Sequence, residues 1–173
     1  MRYGCKFPGS ERGNAILEFA LLLPLLLVVL VEMVDLCLLL DQQLRLIHLS
    51  REAASAASRG STFTQTFKAI TQADGNLGLD GAGGKIILTS VSLDAQGRPV
   101  ITAQQSIGGL SRSSTVGTMG GSGTQATIPN GRSMRTNSSL VVVEMFSQQQ
   151  HFLGTTRLYP GQGGIVLHTV AAF

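Results

Sequence analysis

The chain has no tryptophan, only two cysteines and five prolines, and few charges: 13% of its 173 residues are Asp, Glu, Lys or Arg. Each shortage excludes something. Two cysteines build no disulfide framework, so stability must come from burial or from a partner. The net charge is only +3, and the arginines are scattered. A nucleic-acid surface needs Lys/Arg packed onto one face, so no nucleic-acid partner is expected. His48, His151 and His168 form no i,i+4 pair, and the cysteines lack zinc-site spacing. Neither a metal nor a cofactor is expected.

Other catalytic signatures are missing as well. Gly81-Ala82-Gly83-Gly84-Lys85 lacks both the dinucleotide glycine spacing and the Gly-Lys-Ser/Thr order of a P-loop. Gly120-Gly121-Ser122-Gly123 is no nucleophile elbow, which needs Gly-x-Ser-x-Gly between strand and helix. Asn137-Ser138-Ser139 has the form of a glycosylation sequon, a short polar triplet that carries little weight. No catalytic site is predicted, and the chain is read as a non-enzyme.

What the sequence does have is a long apolar run. From Ala15 to Leu40, eighteen of 26 residues are Leu, Ile, Val or Phe. As a helix this block is about 39 Å long, more than the roughly 30 Å of a bilayer core. Glu18, Pro24, Glu32 and Asp35 interrupt it. Eighteen such apolar residues favour insertion by about 5 to 11 kcal/mol, and each central carboxylate opposes it by about 2.5 to 3.5. Glu18 is near one end and costs little. Glu32 and Asp35 lie three apart on one helical face, and the acid-free run Phe19–Val31 is short of a full span. The block is predicted to insert and then to leave lipid for a protein environment. A secretory signal peptide would have a shorter, less acidic core, although Ala53–Ala57 offers a cleavage-like spacing. A buried helix of a soluble protein would need covering on every face, for which this chain has little material.

Arg2, Lys6 and Arg12 against Glu11 make residues 1–13 net positive, which by the positive-inside rule keeps them cytoplasmic. The rest of the chain then lies beyond the membrane. Cys5 and Cys37 fall in different environments, which excludes a bridge between them. Without residues 1–13 the chain has ten Lys/Arg against nine Asp/Glu, so most of its basicity resides in that leader.

At the leader's end the sequence reads Arg12-Gly13-Asn14-Ala15-Ile16-Leu17-Glu18-Phe19. Gly13 offers a bare backbone for a protease to grip, and Asn14 is a good N-cap for the helix that follows. A lone glutamate in an apolar run calls for a partner. Cutting after Gly13 would place the new Asn14 α-amino group one helical turn from Glu18. The alternative is that Gly13 is a linker and Glu18 marks the membrane edge.

The run Gly13-Asn14-Ala15-Ile16-Leu17-Glu18-Phe19-Ala20-Leu21-Leu22-Leu23-Pro24-Leu25-Leu26-Leu27 resembles the N-terminal signature of TadE-like proteins, minor pilins or pseudopilins of the tight-adherence (type IVc, Flp) pilus. The resemblance covers roughly residues 12–59. It implies cleavage by a membrane aspartic prepilin peptidase between Gly13 and Asn14, with Glu18 fifth in the mature chain. Phe19 stands where major Flp pilins more often carry tyrosine, which points to a minor pilin. Pro24 fits the same pattern and is expected to kink the helix or open a backbone hydrogen bond. Val141–Phe146 followed by Phe152-Leu153-Gly154 resembles the C-terminal strand and turn of such proteins. The partners implied are the peptidase, the major Flp pilin, other minor pilins, the Tad inner-membrane assembly platform and the inner membrane itself. An unprocessed bitopic protein, scaffolding or binding a component of a secretion complex, is the alternative.

The remaining sequence predicts an α+β, pilin-like fold: a leader over 1–13, a helix over 14–59 and an extracytoplasmic domain over 60–173. Helix from Asn14 to Ser58 is about 67 Å long. Beyond the membrane, Leu40, Leu44, Ile47, Ala54 and Ser58 make its stripe, and Arg59-Gly60 ends it. A short helix over Thr64–Ala73 precedes strands over Lys85–Leu93, Val100–Ile107, Leu140–Ser147 and Gly164–Ala172. These strands form a small antiparallel sheet on the outer half of the long helix. Gly108–Arg135, with three arginines and no acid, reads as a mobile or partner-binding loop.

Overall fold

A computed structural model describes residues 11–75, 77–120, 124–129, 134, 138–149 and 165–173, with backbone alone for 11–15. The fold is α+β. Helix α1 (Glu11–Ser58) is followed by α2 (Phe63–Ala73) and by four strands: β1 (Gly84–Leu93), β2 (Pro99–Ile107), β3 (Ser139–Gln149) and β4 (Ile165–Ala172). They form one antiparallel sheet in the order β2-β1-β3-β4. The chain divides into two compact units, residues 1–38 and 39–173.

In the first unit α1 is long and apolar enough to cross a membrane. Helix begins at Glu11, three residues ahead of the expected cap at Asn14. Asn14 is therefore an interior residue of the helix and does not act as its cap. Pro24 stands inside α1, with helix on both sides. From Ile16 to Leu30 every side chain is exposed. Glu32 is exposed, whereas Asp35 is only 6% exposed. Cys37 is a free, exposed thiol.

In the second unit the rest of α1 packs on the sheet. Its buried stripe is Leu46, Ser50, Ala53, Ala54 and Ala57. The expected stripe shares Ala54 with it and has Ile47 half-buried, but Leu40, Leu44 and Ser58 are exposed, and at 100° per residue the two stripes lie roughly a quarter turn apart. Side-chain size explains the difference. Ser and Ala at positions 50, 53, 54 and 57 let a flat sheet approach the helix backbone, and the longer leucines face away. Inside this contact Ser50 Oγ and Thr169 Oγ1 are 3.3 Å apart and share a hydrogen bond. Phe67 and Ile70 of α2 join the same cluster with Ile86, Leu88, Val143 and Met145. A capping box fixes the start of α2: Gln65 N donates to Thr62 Oγ1, and Thr62 N donates to Gln65 Oε1. Gly60, at φ +97°, ends α1.

Strand parity sorts the rest of the core. Ile86 pairs with Ile107 on the helix face, and Val91 pairs with Ile101 on the outer face. Ile101 and Ile107 are six apart and would share a face in a regular strand. The bulge at Ser90/Val91, where β2 carries Thr102 as an extra residue, puts them on opposite faces. In β3, Val141, Val143 and Met145 face the helix, and Val142 belongs to a second, outer cluster with Val91, Ile101, Val116 and Ala126. The sheet therefore has two covered faces.

The outer cover comes from the stretch expected to be a mobile or partner-binding loop. Val116 (fully buried) and Ala126 both lie within 108–135. Thr124–Ala126 also runs along the free edge of β2: Ile101 N donates to Thr124 O and Ala126 N to Pro99 O. Gly108, at φ +99°, turns the chain out of β2, and a Cβ there would strike the Gly84 carbonyl. At the β1–β2 turn Asp94 accepts from Gln96 N and Arg98 N. The Arg98 amide and guanidinium hold the Asp94 carboxyl below its ordinary range. Burial pushes the Asp74 carboxyl above its ordinary range, although its Oδ2 accepts from Leu79 N.

The two stripes predict different losses. Leu88→Ala, in the helix–sheet core, should destabilise the second unit by about 2–5 kcal/mol. Leu44→Ala should stay within about 0.5 kcal/mol of the parent. Denaturant unfolding of the full chain in detergent, followed by the β-sheet signal, measures both. Equal losses would contradict this packing.

Candidate functional sites

Two regions place side chains where chemistry is possible. The first is the start of α1. Gly13 and Asn14 have helical backbone. Asn14 and Glu18 are four apart, hence one turn apart on one face. Glu18 is exposed and Phe19 is 66% exposed, as are the leucines that follow. Gly13, Asn14, Glu18, Phe19 and Pro24 are thus consecutive features of one helix, with no second element of the described chain brought against them by an observed hydrogen bond or ion pair.

The second region is the outer face of the sheet, where Glu144 sits at the middle of β3 with no exposed surface. The pairing register sets it between Ile87 of β1 and Val170 of β4. A strap, residues 109–119, crosses this face and satisfies the carboxylate. Ser114 Oγ donates to Oε2; Thr115 N donates to Oε1 over 2.9 Å and Thr115 Oγ1 to the same oxygen over 2.5 Å. His168 Nε2 lies 3.8 Å from Oε1, and its ring stacks on Phe146 with centroids 4.3 Å apart. Hydrogen bonds to a charged group are worth about 1.5–3 kcal/mol each, so a buried carboxylate held this way fastens the strap firmly. Gln104 fastens its far end: Nε2 donates to Gly117 O and Thr89 Oγ1, and Oε1 accepts from Met119 N. Leu110 N donates to Gly84 O at the near end.

Sequence reasoning missed this latch. Its signal was one acid in Val141-Val142-Val143-Glu144-Met145-Phe146, a strand otherwise apolar on both faces. Such an acid must be satisfied by something lying across the sheet. His168, read as an isolated histidine, stands beside this carboxylate. His151 and the Phe152-Leu153-Gly154 turn fall outside the described residues, as do residues 1–10 of the leader. No group of three His, Cys, Asp or Glu able to hold a metal occurs among the described residues.

The latch yields a direct test. Replacing Glu144 with alanine strands the Thr115 amide and two hydroxyls, a loss of about 1–3 kcal/mol for the strap. Hydrogen exchange should quicken at Thr115 and stay slow at Leu88 in the central ladder. Unchanged protection at Thr115 would contradict the latch.

Comparison with known proteins adds one match: residues 13–55 fit the family described as TadE-like protein. This is the segment whose residues carried the resemblance. No curated protein and no solved structure matches the chain.

Proposed function

We propose that this TadE-like chain is a minor pilin, or pseudopilin, of the tight-adherence pilus, cut by a prepilin peptidase between Gly13 and Asn14 and required for pilus assembly and adherence. The observation that carries this reading is Gly13 followed by Glu18 at the boundary between a basic leader and an exposed apolar helix, inside the matched segment. The first four N–H groups of a helix lack partners within it, so the turn beginning at Glu11 opens most easily. Gly13 lies in that turn, where a membrane peptidase meets an unbranched backbone. Cleavage removes three basic residues and exposes the Asn14 α-amino group. That cation then sits one turn from Glu18, on its own helix or on a neighbour's, and offsets the cost of a carboxylate in lipid.

The helix surface supports an assembly role. Ile16 to Leu30 present leucine and valine on all sides, and Leu40 and Leu44 extend an apolar face beyond the part the sheet covers. In the membrane, lipid covers this surface; in a fibre or its base, helices of the major Flp pilin and other minor pilins do. The leader stays cytoplasmic and residues 60–173 lie in the periplasm, where the inner-membrane assembly platform receives the subunit.

Intact-mass spectrometry of the protein from cells with and without the peptidase tests the reading. A chain starting at Asn14 only when the peptidase is present is the expected result. A chain starting at Met1 in both would replace the pilin reading with the unprocessed bitopic scaffold. In the same cells Glu18→Ala should be cleaved normally yet leave few surface fibres, whereas normal piliation would remove the role given to Glu18.

A further inference from the structure

The strap does more than cover the sheet: with β1 and β2 it encloses an open cleft of about 180 Å³. Lys85 and Arg112 stand on its walls, with Gln104, Ser106, Ser113 and Thr118 between them. We propose that this cleft binds one anionic oxygen group, a phosphate or a carboxylate carried by a ligand outside the chain.

Three observations converge. First, the side chains of Lys85 and Arg112 have no hydrogen-bond or ion-pair partner among the described residues, whereas Arg45 and Arg98 are engaged by Asp41 and Asp94. Second, among the described residues no carboxylate lines the cleft, whose charged side chains are Lys85 and Arg112. Third, the wall is fixed in advance. Arg112 and Ser113 lie between the Leu110 N–Gly84 O bond and the Glu144 latch at Ser114 and Thr115, and Gln104 holds Gly117 and Met119. A donor set held before the ligand arrives loses little entropy on binding.

The chemistry follows from the side chains. Lys85 is half-buried on β1 and supplies a compact charge; Arg112 is exposed on the strap and supplies a planar fork suited to two oxygens. The hydroxyls of Ser106, Ser113 and Thr118 add neutral donors. Size limits the occupant: pockets for whole small molecules run to about 300–1,000 Å³, so this cleft holds one group of a ligand and leaves the remainder in solvent. Glu144 is the nearest carboxylate in the pairing register, opposite Ile87 of the cleft wall. It has no exposed surface, does not line the cleft, and its oxygens accept from Ser114 and Thr115.

Full-length protein in zwitterionic micelles, titrated with sodium phosphate and separately with sodium acetate at constant ionic strength, tests the site. The amide resonances of Arg112–Thr118 should shift and saturate. The better of the two probes identifies a phosphoryl or a carboxylate ligand. Lys85→Met keeps the apolar stem without the charge, and Arg112→Gln removes the fork. Each should weaken binding roughly tenfold, while Arg51→Ala on α1 should leave it unchanged. An intact Leu88 amide resonance in each variant shows that the sheet has remained folded. No saturable shift with either probe, or equal binding by folded Lys85→Met and Arg112→Gln, overturns the proposal.

Discussion

Helix α1 carries more apolar surface than the described residues cover, and that excess is the constraint on which the rest depends. The sheet takes one narrow stripe, built from Leu46 and small residues at 50, 53, 54 and 57. Everything from Ile16 to Leu30 and the face through Leu40 and Leu44 remains open. Fully burying one leucine is worth about 1.5–3 kcal/mol. More than a dozen exposed leucines, valines and isoleucines therefore represent a large drive toward lipid or toward other helices. The exposed acids Glu18 and Glu32 work against lipid as the permanent destination. Under the proposed function, such a helix first sits in a membrane and then joins an assembly.

Because α1 packs on one face of the sheet only, the other face needs its own cover. It obtains that cover from its own crossover connection. The segment between β2 and β3 seals the outer face with Val116 and Ala126, and the Glu144 latch holds it there. The bulge at Thr102 directs Ile101 outward to meet it. The same strap that protects the hydrophobic face also brings Arg112 toward Lys85. Packing and a potential ligand site thus share one device.

Much of this was legible in the residues. All six elements were placed within three residues at either end, because runs such as Lys85–Leu93 alternate clearly and Gly60, Gly97 and Gly108 punctuate them. The segment Gly13–Glu18 stood out because a glutamate in a leucine run is physically costly. The covered stripe of α1 was misjudged by a quarter turn. Reading leucines as core and alanines as neutral fails where a flat sheet must come close to a helix. The strap was read as loop because Gly, Ser and Thr lack periodicity. Its burial depends on Glu144, about thirty residues away in sequence, and only the tertiary pairing reveals it.

The central claim is that the uncovered face of α1 belongs to other subunits. Photo-crosslinking from benzoylphenylalanine placed at Leu44, compared with the same probe at exposed Lys68 on α2, tests it most directly in piliated cells. Adducts to pilin-sized chains from position 44, and few from position 68, are the result this account predicts. Position 44 yielding no more protein adducts than position 68 would contradict it.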